Sequence, residues 1–247
     1  MKINKWLWQA FLLSGAAAAG QASADPGYVD LGTAGNLVMK PCNPGNSDAV
    51  TRCEVESLPG EDGYTLVGSR STPIVKNDVT VGTVHDRVWR SNAQPNRYIF
   101  GMRVVMNADQ WDPSGLAFNV NDLSRRLRPH APAFGAYQLG GATKALISVG
   151  RTSFGLNEFD GAQPPRDNSW VDFRIDANAA DPDGLSSPKS PWLLFRTRAP
   201  DGYAVQPFGV RVLNSDFPSI SNSVEVFVPG YQPNGVPADD GGGDDGD

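Results

Sequence analysis

The sequence predicts an antiparallel β-sandwich of two sheets, immunoglobulin-like or jelly-roll-like in plan and with little helix. Three observations carry that prediction. Several segments alternate apolar and polar residues with a period of two, the mark of a strand with one buried face. The connections are rich in turn formers, with 27 Gly and 20 Pro in 247 residues, which is the chemistry of tight turns. Only one stretch places its apolar residues at a helical spacing.

The first 24 residues stand apart from this pattern. They read MKINKWLWQAFLLSGAAAAGQASA, with basic Lys2 and Lys5, an apolar run from Trp6 to Ala19 and small residues at Ala22 and Ala24. This is the layout of a secretory signal peptide cleaved after Ala24. No other stretch approaches the roughly 18 apolar residues that a membrane helix needs. The mature chain is therefore expected to be exported, to the periplasm or beyond the cell, with no membrane span. Residues 25–233 are expected to form the sandwich, as one unit or as two small ones. Residues 234–247 form a Gly/Asp tail that can bury nothing and reads as disordered.

Cys42 and Cys53 are the only cysteines. In an exported chain so close a pair reads as a disulfide, with a stabilisation of about 3 kcal/mol from closing so short a loop. Zinc is the poorer reading, because no histidine or further cysteine stands at finger spacing.

The strands follow in order. Tyr64 to Gly68 (YTLVG) and Val79 to Val84 (VTVGTV) are short β-rich runs bounded by turn residues. In YIFGMRVVM, Tyr98, Phe100, Met102, Val104 and Met106 share one face, with Gly101 and Arg103 opposite. Leu116 to Val120 and Ala145 to Val149 are weaker candidates. WVDFRI sends Val171, Phe173 and Ile175 one way and Trp170, Asp172 and Arg174 the other. Trp192 to Arg198, then FGVRVL (Phe208, Val210, Val212) and SVEVFV (Val224, Val226, Val228), complete the set. The one helical candidate is NDLSRRLR, with Asn121 as N-cap and Leu123 and Leu127 on one side. Phe100-Gly-Met-Arg-Val104 and Phe208-Gly-Val-Arg-Val212 resemble each other, but nothing around them aligns, so two strands meeting similar turns is the simpler reading.

Charge narrows the function. The chain carries a formal −6, and loss of the two leader lysines leaves −8. Nucleic acid is not expected as a partner, since phosphate backbones call for a basic surface. The one basic run, Arg125, Arg126, Arg128 and His130, reads as the solvated side of the short helix, with an anion site as the sharper alternative.

Catalytic motifs are sparse. The mature chain has two histidines, His85 on an expected strand and His130 between prolines, and neither G-x-S-x-G nor H-E-x-x-H occurs. A glycosidase needs only two spaced carboxylates, and Glu158 with Asp160 are the first suspects. Calcium is the possible cofactor. Asp176, Asn178, Asp181 and Asp183 in DANAADPDG offer it oxygens, although Asp-Pro-Asp-Gly also suits a plain turn. An EF-hand fails here, because Gly184 at its sixth position would put Ala179 first and Ser190 twelfth.

Tryptophans suggest the ligand class. Flat rings stack on sugar C–H faces while neighbouring polar groups take the hydroxyls. Trp111 sits in a loop, and Trp170 alternates onto the polar side of its strand beside Asp172 and Arg174, which implies exposure or a second buried layer. The reading is an exported, non-catalytic module for a glycan or another cell-envelope component. Its alternatives are an envelope assembly protein pairing edge strands with a protein partner, and a hydrolase using paired carboxylates.

Overall fold

The computed structural model describes residues 27–32, 40–42, 53–61, 63–107, 118–128, 130–142, 148–152, 169–180, 187–214 and 224–235. The expected signal peptide lies outside them. The expected tail lies mostly outside them too, but its first residues, Asn234 and Gly235, form a turn held to the chain at Asp201 and Gly202. Among the described residues no helix is long and apolar enough to cross a membrane.

The chain forms two antiparallel sheets packed face to face. Its strands are β1 (Val29–Asp30), β2 (Lys40–Pro41), β3 (Tyr64–Lys76), β4 (Val79–Ser91), β5 (Arg97–Met106), β6 (Asn119–Arg126) and β7 (Ala133–Gln138). They continue with β8 (Ser148–Thr152), β9 (Trp170–Asn178), β10 (Trp192–Arg198), β11 (Tyr203–Asn214) and β12 (Val224–Pro233). A 3-10 turn, Pro59–Glu61, precedes β3. The first sheet has the order β1-β7-β10-β5-β4-β3, and the second β12-β11-β6-β9-β8-β2. Each sheet thus draws strands from both halves of the chain.

Local chemistry explains the hairpins. Lys76 pairs with Val79 across Asn77 and Asp78, whose φ angles are 50° and 61°. Two left-handed residues in a two-residue loop make a type I′ turn, which Asn and Asp tolerate best among side-chain-bearing residues.

Alternation then builds the core. Tyr98, Phe100, Met102, Val104 and Met106 of β5 meet Val171, Phe173 and Ile175 of β9 in one apolar cluster with Leu193, Phe195, Val210 and Val212. Phe100 stacks on Phe195 at 5.1 Å between ring centroids. The two look-alike segments are not equivalent in space. Phe100 is fully buried, whereas a register shift between Gln206 and Val210 turns Phe208 outward.

One expected element is corrected. NDLSRRLR is not a helix; Asn119–Arg126 is strand β6, paired with β9 on one side and β11 on the other. Leu123 and Leu127 lie four apart, an even number, so the spacing fits a strand as well as a helix. A register shift between Val120 and Asp122 brings Phe118, Val120, Leu123 and Leu127 all into the core. Two flanking strands satisfy the backbone and override a weak helical preference.

The expected basic patch is dispersed for the same reason. Arg125 points into the sandwich and is fully buried, where its guanidinium grips Asp86 of β4 through both oxygens, at 2.8 and 3.2 Å. Arg126 points the other way, over Trp170. Arg128 faces Asp201 at 3.9 Å in an exposed pair. The Asp86–Arg125 pair bridges the two sheets, and Tyr231 of β12 completes it. The Tyr231 amide donates to Asp86 Oδ2 at 2.7 Å, and its carbonyl accepts from Arg125 Nη1.

Cys42 and Cys53 form the expected disulfide. It joins the end of β2, in the second sheet, to a segment that bonds Tyr137 of β7, in the first.

Candidate functional site

Three of the residues singled out from the sequence converge on the outer face of the second sheet. Strand alternation places Trp170, Asp172 and Arg174 on that face of β9, and pairing aligns them with neighbours in rows. One row runs Phe227, Arg211, Ser124, Asp172 and Gly150 across β12, β11, β6, β9 and β8. The next runs Glu225, Leu213, Asp122, Arg174 and Ser148.

These rows form a polar layer. Ser124 Oγ donates to Asp172 Oδ1 at 2.6 Å. Arg174 Nε stands 3.4 Å from Asp122 Oδ1, and Arg211 pairs with Glu225. Asp172 and Asp122 are buried, and so is Arg211, whereas the Arg174 side chain is 50% exposed. Burial pushes the Asp122 carboxyl up to about 8, reinforced by the charge of Asp172 and opposed by Arg174 and Arg211. Burial likewise raises Asp172, against the Ser124 hydrogen bond and the same two arginines. Two carboxylates so placed titrate as a pair and resist losing both protons. The layer can therefore both donate and accept hydrogen bonds at neutral pH.

An aromatic strip flanks it. Phe227 lies 6.3 Å from Trp170 and 5.6 Å from Phe208 between ring centroids, with the Arg211 guanidinium 6.0 Å from the Phe227 ring. Phe208 is 39% and Phe227 37% exposed. Trp170 is buried at 5%, so it belongs to a second buried layer, and the exposed rings here are phenylalanines. Trp89 and Trp192 are buried as well.

The other expected residues are placed as follows. Asp176 and Asn178 share the outer face of β9, and Asn178 Oδ1 accepts the Ala180 amide at 2.9 Å in a local turn. Asp181, Asp183, Trp111, Glu158 and Asp160 lie outside the described residues. No group of three His, Cys, Asp or Glu suited to a metal ion occurs among the described residues. His130 sits in a turn with φ 56°, and His85 lies half-buried on β4.

Asp122, Ser124, Arg211, Glu225, Phe208 and Phe227 were not singled out from the sequence. Alternation marks Arg211 and Glu225 as outward, but which strands become neighbours is a property of the sheet order. Compared with family models, with curated proteins and with solved structures, the chain matches none of them.

Proposed function

We propose that this is an exported, non-catalytic module that binds carbohydrate or another cell-envelope component on the outer face of the second sheet. The observation that carries this reading is the exposed Phe208–Phe227 strip beside the Arg211–Glu225 pair, with the half-exposed Arg174 further along the same face. Apolar ring faces next to fixed charged hydrogen-bonding groups are what a hydroxyl-rich ring requires, since its C–H face stacks while its edge bonds. Export is supported by the leader pattern and by the disulfide, which belongs to oxidising compartments.

Phe227→Ala is the test, because Phe227 is exposed and its removal spares the core. Retention on cell-envelope polysaccharide should fall tenfold or more for the loss of one stacking ring, about 1.5 kcal/mol, with unchanged melting. Retention equal to wild type would remove this face as the binding surface.

The edge-pairing alternative has less support. Edge strand β3 carries Pro73 and two register shifts, and edge strand β12 carries Pro229 and Pro233. Prolines and bulges discourage pairing with another chain. Hydrolysis is a second reading, favoured by the two buried carboxyl groups of Asp122 and Asp172 on neighbouring strands. Release of reducing ends from the same polysaccharide, abolished in Asp122→Asn, would select it.

A further inference from the structure

The outer face of the first sheet gathers cations. His85 and Arg87 of β4, Arg103 of β5 and Lys189, which bridges to Val105 just beyond, all stand on this side. Trp192 of β10 packs against two of them, with the Arg87 guanidinium 4.6 Å and the Arg103 guanidinium 4.9 Å from its ring. Ser71 of β3 shares a 2.8 Å hydrogen bond with His85 Nδ1.

The cluster is built, not incidental. Arg103 is buried, and its Nη2 donates to the carbonyls of Leu139 and Gly140, both at 3.1 Å. Those carbonyls belong to a turn in which Gly140 and Gly141 have φ of 54° and 83°. A Cβ on Gly140 would stand only 2.2 Å from Arg103 Nη2, so glycine is required both by the backbone and by the approach. Lys189 Nζ lies 3.3 Å from where a Gly141 Cβ would be, and so borders the same turn.

Among the described residues no carboxylate pairs with these cations. Burial lowers the His85 pKa, and the charges acting on it come from Arg103, Arg87 and Lys189, all positive. Burial also lowers Arg103 to about 10, with Arg87 adding to the effect. In a chain of net −6, fixed cations assembled on rigid strands, with no carboxylate of the described residues paired to them, suit an anionic guest.

The geometry points to a second binding site, formed by Ser71, His85, Arg87, Arg103 and Lys189, for a tetrahedral oxyanion such as a phosphate or sulfate group. Its donors come from β3, β4, β5 and the Lys189 bridge. This site is separate from the aromatic strip, which lies on the opposite sheet.

Calorimetric titration of the mature protein tests it, with inorganic phosphate in one arm and a sugar phosphate monoester in the other, at ionic strength fixed by sodium chloride. Saturable binding is expected in wild type, at least about tenfold weaker in Arg87→Gln and in Lys189→Gln, the loss typical of one charge-assisted hydrogen bond. Tighter binding of the monoester would assign the guest as an ester, and tighter binding of inorganic phosphate as the free ion. Phe227→Ala should leave this binding intact, so the two sites stand or fall separately. In the wild-type protein the His85 ring should titrate higher in sulfate than in chloride. Absence of saturable binding, binding indifferent to both substitutions, or a His85 midpoint unmoved by sulfate would overturn the site.

Discussion

Replacing Asp86 by Asn tests how the two sheets are held together. Arg125 is fully buried and Asp86 nearly so, and their bidentate contact is the only charge compensation shown for that guanidinium. Asn keeps the shape and an oxygen for the Tyr231 amide but removes the charge. A guanidinium keeps its proton at working pH, so it stays buried without compensation, at a cost of about 3–5 kcal/mol. For a domain of this size that is a fall in melting temperature of roughly 6–20 °C. Arg125→Met is not the mirror experiment. Burial already raises the Asp86 pKa, against the pull of Arg125, the Tyr231 amide and Arg70, so a carboxyl left alone can take up a proton. Its loss of stability should shrink as pH falls, whereas that of Asp86→Asn should not. Urea unfolding followed by tryptophan fluorescence, at pH 5 and pH 8, reads both. A loss below about 1 kcal/mol in Asp86→Asn, less than the typical cost of breaking a buried pair, would refute the view that this pair clamps the sheets.

Three further outcomes are expected. Asp122 is raised to about 8 in the folded protein from the usual 3.8. Its contribution to stability is therefore present below 3.8 and lost as pH rises through 8. Asp122→Asn should accordingly gain stability relative to wild type at pH 9 but not at pH 4, as read by differential scanning calorimetry. Removing the disulfide with Cys42→Ser and Cys53→Ser should cost about 3 kcal/mol, read as a lower urea midpoint that reductant no longer changes. Gly140→Ala should cost at least about 1–2 kcal/mol for the left-handed backbone alone, with weaker phosphate binding because Arg103 must move.

Much of the architecture was legible in the residues. The alternation in YIFGMRVVM and WVDFRI assigns the buried rows of β5 and β9, because each face meets a single environment over its whole length. β6 was not legible. Arg125 interrupts its apolar row, and only Asp86, nearly forty residues earlier, makes a guanidinium acceptable there. The site divides similarly. Period two brings Trp170, Asp172 and Arg174 to one face, but it cannot say that β6 and β11 lie alongside with Asp122, Ser124 and Arg211. Nor does it tell a buried from an exposed ring, as the exchange of Trp170 for Phe227 shows. The cationic face was invisible, since its members come from β4, β5 and the residues before β10 and no short motif contains them.

The disulfide has a mechanical consequence. Because Cys42 leaves β2 in one sheet and Cys53 enters the bond to Tyr137 in the other, tension along the chain passes through the sulfur bridge and bypasses residues 43–52. A protease cut within that loop would leave one covalently continuous molecule with both layers still tethered, and the nick would show on a gel only after reduction. On the far side, where Thr72 of β3 bonds the Pro229 carbonyl of β12, no second disulfide joins the layers. Under force the sandwich should open there, like a book whose spine is the cystine.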